Sequence, residues 1–201
     1  MKKILIIAGE ASSDMHAAEL VKQIHLKDKE ISFYGLGGEK MRNANVKLLE
    51  NIVQFAFIGP AGLFKHYIKL KSIYDSLCDH IKKDRPDCAI LIDYAEFNLR
   101  VAKELKKLNI PVIYYVSPQI WAWGLWRIKT IRILVDKMLV FFKFEEELYK
   151  RNNVNASFVG HPLLDIVTTK GTPAETRRRL KIEEGTTCIG ILPGSRKNEI
   201  E

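Results

Sequence analysis

The sequence predicts an α/β fold in which a parallel sheet carries helices on both faces, followed by the start of a second α/β domain. Three observations predict it. Short apolar runs recur without polar alternation, as strands buried on both faces require. Amphipathic stretches of helical period separate those runs. Strand and helix alternate along the chain, and each such unit joins parallel strands through a right-handed crossover.

The predicted strands are residues 4–8, 31–36, 89–92, 112–116, 138–142, 157–159 and 188–192. Between the first two, Ala17, Leu20, Val21 and Ile24 share one helical face. Leu63, Tyr67, Leu70, Tyr74, Leu77 and Ile81 step by fours and threes, which marks a long helix. Phe97, Val101, Leu105 and Leu108 mark another. A linker-like stretch, 168–173, precedes a helical segment carrying Arg177, Arg178 and Arg179. The last strand then runs into Pro193-Gly194-Ser195-Arg196. The expected division is a first domain over 1–170 and the beginning of a second over 174–201. No internal repeat or low-complexity run interrupts it.

Composition narrows the function classes. The 201 residues are 47% hydrophobic and 28% charged, which excludes a disordered tail and a membrane bundle. Cys78, Cys88 and Cys188 lie far apart with no CxxC, so neither a disulfide framework nor a zinc site is expected. Lys and Arg outnumber Asp and Glu by 32 to 24, a net charge of +8, which favours anionic partners. No nucleic-acid-binding motif is present and the basic residues are dispersed, so nucleic acid is not the expected partner. The apolar start stops at Gly9-Glu10, too short for a signal peptide. Residues 108–126 lack charge but contain Pro111, Pro118 and Gly124, and read as a strand, a turn and the start of a helix rather than a membrane span. A cytoplasmic location is expected.

In open parallel sheets ligands bind beyond the carboxyl ends of the strands. After the first strand come Gly9, Glu10, Ser12 and Ser13, which either cap the next helix or present amides and hydroxyls to an anion or a sugar. After the second comes Gly35-Leu36-Gly37-Gly38, whose dinucleotide pattern would need a third glycine where Lys40 stands. A tight turn for close packing is the better reading. Asp93 directly ends the third predicted strand, with Asn98 in the helix behind it. It is the best candidate for a general base, the alternative being a helix cap. Ser117, Trp121, Trp123 and Trp126 follow the next strand. Such rings stack on sugars, sit at membrane interfaces or fill a core. His161 lies in a glycine–proline turn, as a substrate donor or a structural turn residue. The apolar tip at Phe57, Ile58, Leu63 and Phe64 is flanked by cations, which suits an anionic membrane surface or a buried loop beside a solvated basic face.

Together these motifs resemble the lipid-A-disaccharide synthase family, GT-B glycosyltransferases of outer-membrane lipid A synthesis. The resemblance is carried by Ala8-Gly9-Glu10-Ala11-Ser12-Ser13-Asp14, Gly35-Leu36-Gly37-Gly38, Ile92-Asp93-Tyr94-Ala95-Glu96-Phe97-Asn98 and Tyr115-Val116-Ser117-Pro118-Gln119-Ile120-Trp121-Ala122-Trp123. It continues through Phe144-Glu145, Val159-Gly160-His161-Pro162 and Leu192-Pro193-Gly194-Ser195-Arg196. It implies the Rossmann-like N-terminal domain of a GT-B fold. It also implies transfer of 2,3-diacylglucosamine from its UDP form to 2,3-diacylglucosamine 1-phosphate (lipid X), with inversion, release of UDP, and no metal or cofactor. By the same resemblance Asp93 is the base and Arg196 is tied to activity. Glu10, Ser12, Ser13, Asn98, Ser117, Trp121, His161 and Ser195 are implied substrate contacts. Phe57, Ile58, Leu63 and Phe64 are the implied contacts to the inner face of the cytoplasmic membrane, with which the protein associates peripherally.

The sequence departs from the family at Ser13, usually glycine, at Tyr94-Ala95-Glu96, usually Ala-Pro-Asp, and at Gly124, often arginine. The resemblance covers the acceptor domain and the first turn of the donor domain, so a fragment inactive alone is expected. A non-catalytic lipid- or phosphosugar-binding module, or another GT-B UDP-sugar enzyme, are the competing readings.

Overall fold

The computed structural model describes residues 2–55, 63–122, 124–167 and 171–192, with the main chain alone at 55, 63–66 and 166. Strand β1 (Lys3–Ala8) shows why unbroken apolar runs build this sheet. Leu5 and Ile7 enter the core on one face, and Ile6 and Ala8 enter the core on the other. With both faces covered from Leu5 to Ala8, the strand's polar residue, Lys3, stands at its partly exposed start.

The other strands are β2 (Ser32–Gly37), β3 (Lys47–Asn51), β4 (Cys88–Ile92), β5 (Val112–Tyr115), β6 (Lys137–Val140) and β7 (Ala156–Phe158). All pairs are parallel, in the order β3-β2-β1-β4-β5-β6-β7. The chain thus winds outward from β1 in one direction, returns, and winds outward in the other.

Helices α1 (Ala11–Lys27) and α2 (Glu39–Asn43) cover one face, burying Ala17, Val21 and Met41 against Ile6, Phe33 and Ile90. Helices α3 (Leu63–Lys83), α4 (Ala95–Lys107), α5 (Ile128–Leu134) and α6 (Lys143–Arg151) cover the other. They bury Leu77, Ile81, Val101, Leu105, Ile131 and Tyr149 against Leu91, Val112 and Met138. The expected α/β class is the one observed. Among the described residues no helix is long and apolar enough to cross a membrane.

The chain divides into two compact units, Met1–Pro162 and Leu163–Glu201. The second holds α7 (Leu163–Ile166) and α8 (Pro173–Arg179). Helix α8 opens with a capping box. Thr172 Oγ1 accepts from the Glu175 amide at 3.3 Å, and Glu175 returns a carboxylate oxygen to the Thr172 amide at 2.7 Å. The strand expected over 188–192 does not form. Its backbone is irregular, and Ile189 is 82% exposed. An apolar run becomes a strand only where a neighbour accepts its hydrogen bonds, and no other strand lies among the described residues of this unit.

Candidate active site

The winding reverses between β1 and β4, so their carboxyl ends flank the topological switch point where ligands of such sheets bind. The two loops meet there. A Cβ on Gly9 would lie 2.4 Å from the Tyr94 ring, so only glycine lets that ring rest on the end of β1. Glu10 follows, half-buried at the start of α1. Tyr94 has its phenol pushed up by burial and then by the Glu10 charge, which sets that carboxylate beside the ring. Ser12 is exposed in the first turn of α1. Ser13 is fully taken up in capping: its hydroxyl accepts from the Glu10 amide at 2.9 Å and donates to the Glu10 carbonyl at 2.8 Å. Of the two readings for these serines, Ser13 follows the cap and Ser12 stays open to a ligand.

Asp93 and Tyr94 turn off the end of β4 with φ of +49° and +48°. The non-glycine left-handed residues of the first unit divide cleanly. Asn45, Asn109 and Asn153 follow the ends of α2, α4 and α6, where asparagine commonly closes a helix. Asp93, Tyr94 and Val116 instead sit at the carboxyl ends of adjacent strands β4 and β5. Such strain costs on the order of 1–3 kcal/mol per residue and persists only when neighbours over-determine it. Here the neighbours are Asn98 and Tyr114. Asn98 is fully buried and donates Nδ2 to the Ile92 carbonyl at 3.1 Å and to the Asp93 carbonyl at 2.7 Å. The Tyr114 hydroxyl donates to the same Asp93 carbonyl. Each such bond contributes about 0.5–1.5 kcal/mol net, so the set is comparable to the strain it opposes. Asn98, expected at the substrate, therefore faces the main chain.

Ser117 is also drawn inward, donating to the buried Glu145 carboxylate at 2.9 Å, and Glu145 accepts from the Phe142 amide at 3.2 Å. This pair ties the loop after β5 to the start of α6. The Tyr149 hydroxyl lies beside it and is pushed up to about 12, chiefly by burial. Around the pair the surface is aromatic. Trp121 meets Phe144 edge-on at 5.5 Å, Phe144 stacks on Phe142 at 5.6 Å, and His161 lies 6.1 Å from Phe142. Trp121 and Trp126 are both exposed, so of the readings for the tryptophans core filling does not apply to these two. His161 also packs 4.9 Å from Phe141 and meets His16 on α1 edge-on at 6.4 Å. His16 is buried and its pKa is lowered, first by burial, then by His161 and Lys40.

The glycine loop after β2 carries no open anion site. The Asp14 carboxylate already accepts from the amides of Gly38 at 2.8 Å, Lys40 at 3.1 Å and Met41 at 3.1 Å. A Cβ on Gly38 would fall 2.6 Å from Asp14 Oδ2. Packing, not dinucleotide binding, accounts for these glycines.

On the α3–α4 side of Asp93 a cavity of about 380 Å³ is lined by Tyr67, Leu70, Tyr74, Tyr94 and Phe97, with two cations, Lys71 and Arg100, and two carboxylates, Asp75 and Glu96. Arg127 bonds Glu96 at one edge and lies 4.7 Å over the Trp126 ring. Phe57, Ile58, Trp123, Ser195 and Arg196 lie outside the described residues, as do the side chains of Leu63 and Phe64. Asp14, His16, Tyr114 and Glu145 were not singled out as site residues by the sequence reading. For Tyr114 a signal existed: a phenol inside a buried apolar run needs a partner.

The family model of lipid-A-disaccharide synthetase matches residues 4–201. The lipid-A-disaccharide synthase of Syntrophus aciditrophicus (strain SB) is 43% identical over 199 residues, covering 99% of this chain and 52% of that relative. That of Myxococcus xanthus (strain DK1622) is 40% identical, covering 98% and 52%. The chain spans about half the length of the curated relatives it matches. Among solved structures, UDP-GlcNAc 2-epimerase from Neisseria meningitidis bound to UDP-GlcNAc aligns with a TM-score of 0.57 at 12% identity, over 90% of this chain and 52% of that one. The S. aureus MnaA–UDP structure gives 0.57 at 14% identity, over 80% and 43%. At such identities the likeness is one of fold, the GT-B type. The family match runs through every motif that lines the switch point, and the chain belongs to the lipid-A-disaccharide synthetase family.

Proposed function

We propose that this chain is the acceptor half of an inverting glycosyltransferase that moves 2,3-diacylglucosamine from its UDP form to lipid X. The observation that carries the reading is the position of Asp93. It combines a carboxylate at the switch point, a turn held from the core, and an apolar cavity on the far side of Tyr94. Asp93 acts as general base: it takes the proton of the acceptor hydroxyl as that oxygen attacks the anomeric carbon. The sugar–phosphate bond of the donor breaks on the opposite side and UDP leaves. Glu10, Ser12, Trp121 and His161 border the acceptor sugar. The cavity takes an acyl chain between its aromatic and aliphatic walls. Exposed Tyr67 and Ile68 beside Lys71 on α3 support peripheral contact with an anionic membrane surface. The curated relatives carry as much sequence again, and we assign the donor site to that part.

The test is transfer from UDP-diacylglucosamine to lipid X by this chain and by a version extended through the reading frame that follows it. Transfer by the extended protein alone is expected. No transfer by the extended protein, with lipid X still bound, would leave a binding module instead.

A further inference from the structure

We propose that Tyr114 and Asn98 are positioning residues: they hold the left-handed Asp93–Tyr94 turn and so set the direction in which the Asp93 carboxylate leaves the end of β4. The inference rests on the reading of Asp93 as the base.

Two consecutive non-glycine residues at φ near +50° are disfavoured for L-amino acids, and tyrosine lacks the local hydrogen bonding that lets asparagine or aspartate visit that region. No helix end explains the turn, because it precedes α4 rather than closing a helix. What opposes the strain is a convergence of donors from two elements. Tyr114 comes from β5 and Asn98 from α4, and both meet the Asp93 carbonyl, while Asn98 also reaches the Ile92 carbonyl. Asn98 Oδ1 is left buried without a partner. The amide is thus oriented for its donors. The reverse orientation would set its oxygen against two carbonyls.

Neither donor titrates in the range where a carboxylate base works. The amide is neutral, and the Tyr114 phenol is held protonated by burial and then by the Asp93 charge. The clamp therefore stays closed whichever protonation state Asp93 is in. On its other side Tyr94 is fixed by Gly9, where any side chain would strike the ring. The turn is gripped from β1, β5 and α4 at once, as a reacting group needs if it is to stay within a fraction of an ångström of its productive position.

The experiment compares Tyr114→Phe, which removes one hydroxyl, in the wild-type background and in a Tyr94→Gly background, where the strain at one of the two left-handed residues is removed. In the extended protein, kcat is expected to fall roughly 10- to 100-fold on Tyr114→Phe, with KM for the acceptor changed less than about twofold. In the Tyr94→Gly background the same substitution is expected to cost several-fold less, a coupling that a merely structural hydroxyl would not show. In this chain, the strong intraresidue Hα–HN NOE that marks positive φ at Asp93 and Tyr94 is expected to weaken on Tyr114→Phe. Unchanged kcat, or an equal loss in both backgrounds, overturns the clamp while Asp93→Ala still reports on the base. If the extended protein transfers nothing, the proposed function fails, and the NOEs alone decide: a left-handed turn that persists in Tyr114→Phe overturns the clamp.

Discussion

At the residue scale, Asp14 shows how a motif position can be chemical in type and structural in role. Its carboxylate closes the amides that open α2, and two of those amides are buried. Asp14→Ala leaves them unpaired and is expected to cost roughly 2–4 kcal/mol in urea unfolding, without touching the switch point. His16 gives a pH-dependent counterpart. Its folded-state pKa lies below the ordinary 6.5, so the unfolded chain binds the proton more readily. Its contribution to stability is full above that value and is lost as pH falls from about 6.5 toward the folded pKa, at about 1.4 kcal/mol per unit of depression. Between pH 7.5 and 5.5 wild type is expected to lose unfolding free energy relative to His16→Leu. A constant difference would show that the imidazole is not buried neutral. Sequence separated Asp93 from the background because a carboxylate ending a buried strand is anomalous wherever it occurs. It did not separate Ser13, Asn98 and Ser117 from true ligand contacts. A short polar side chain behind a strand serves the backbone or the substrate equally well, and only the position of Glu145 or of the Asp93 carbonyl decides which.

At the element scale, helix α3 changes role along its length. Ile73, Leu77 and Ile81 are core, whereas Tyr67, Leu70 and Tyr74 extend the same stripe out over the cavity beside α4. Leu77→Ala is expected to cost about 2–5 kcal/mol of stability. Tyr67→Ala is expected to change stability by less than about 0.5 kcal/mol yet weaken binding of a fluorescent long-chain fatty acid. Urea unfolding and a fluorescence titration of both variants check the pair, and equal stability losses would put Tyr67 in the core. The stripe was legible from its period, but its division was not, because periodicity tells which side is apolar and not what covers it. Strand β3 was missed for a related reason. Lys47–Asn51 is an edge strand, half-exposed, with charged residues among its few apolar ones, so nothing in it resembles a buried run. Residues 188–192 gave the opposite error, an apolar run with no strand beside it among the described residues of its unit.

At the scale of the whole molecule, apolar runs and right-handed crossovers were enough for the class. The order of the strands was not legible, since it depends on which side of β1 each crossover returns to. That order places the ends of β1 and β4 side by side, and with them Glu10, Asp93 and the clamp behind it. The central claim is that Asp93 is the base of a transfer to the acceptor lipid at that point. The most direct measurement is the turnover of Asp93→Ala in the extended protein, taken together with its affinity for lipid X and its melting temperature. We expect turnover to fall by roughly 10²–10⁴ with binding and melting temperature retained, the signature of a lost proton acceptor. Turnover within a few-fold of wild type, in a protein that still binds lipid X, would contradict the account.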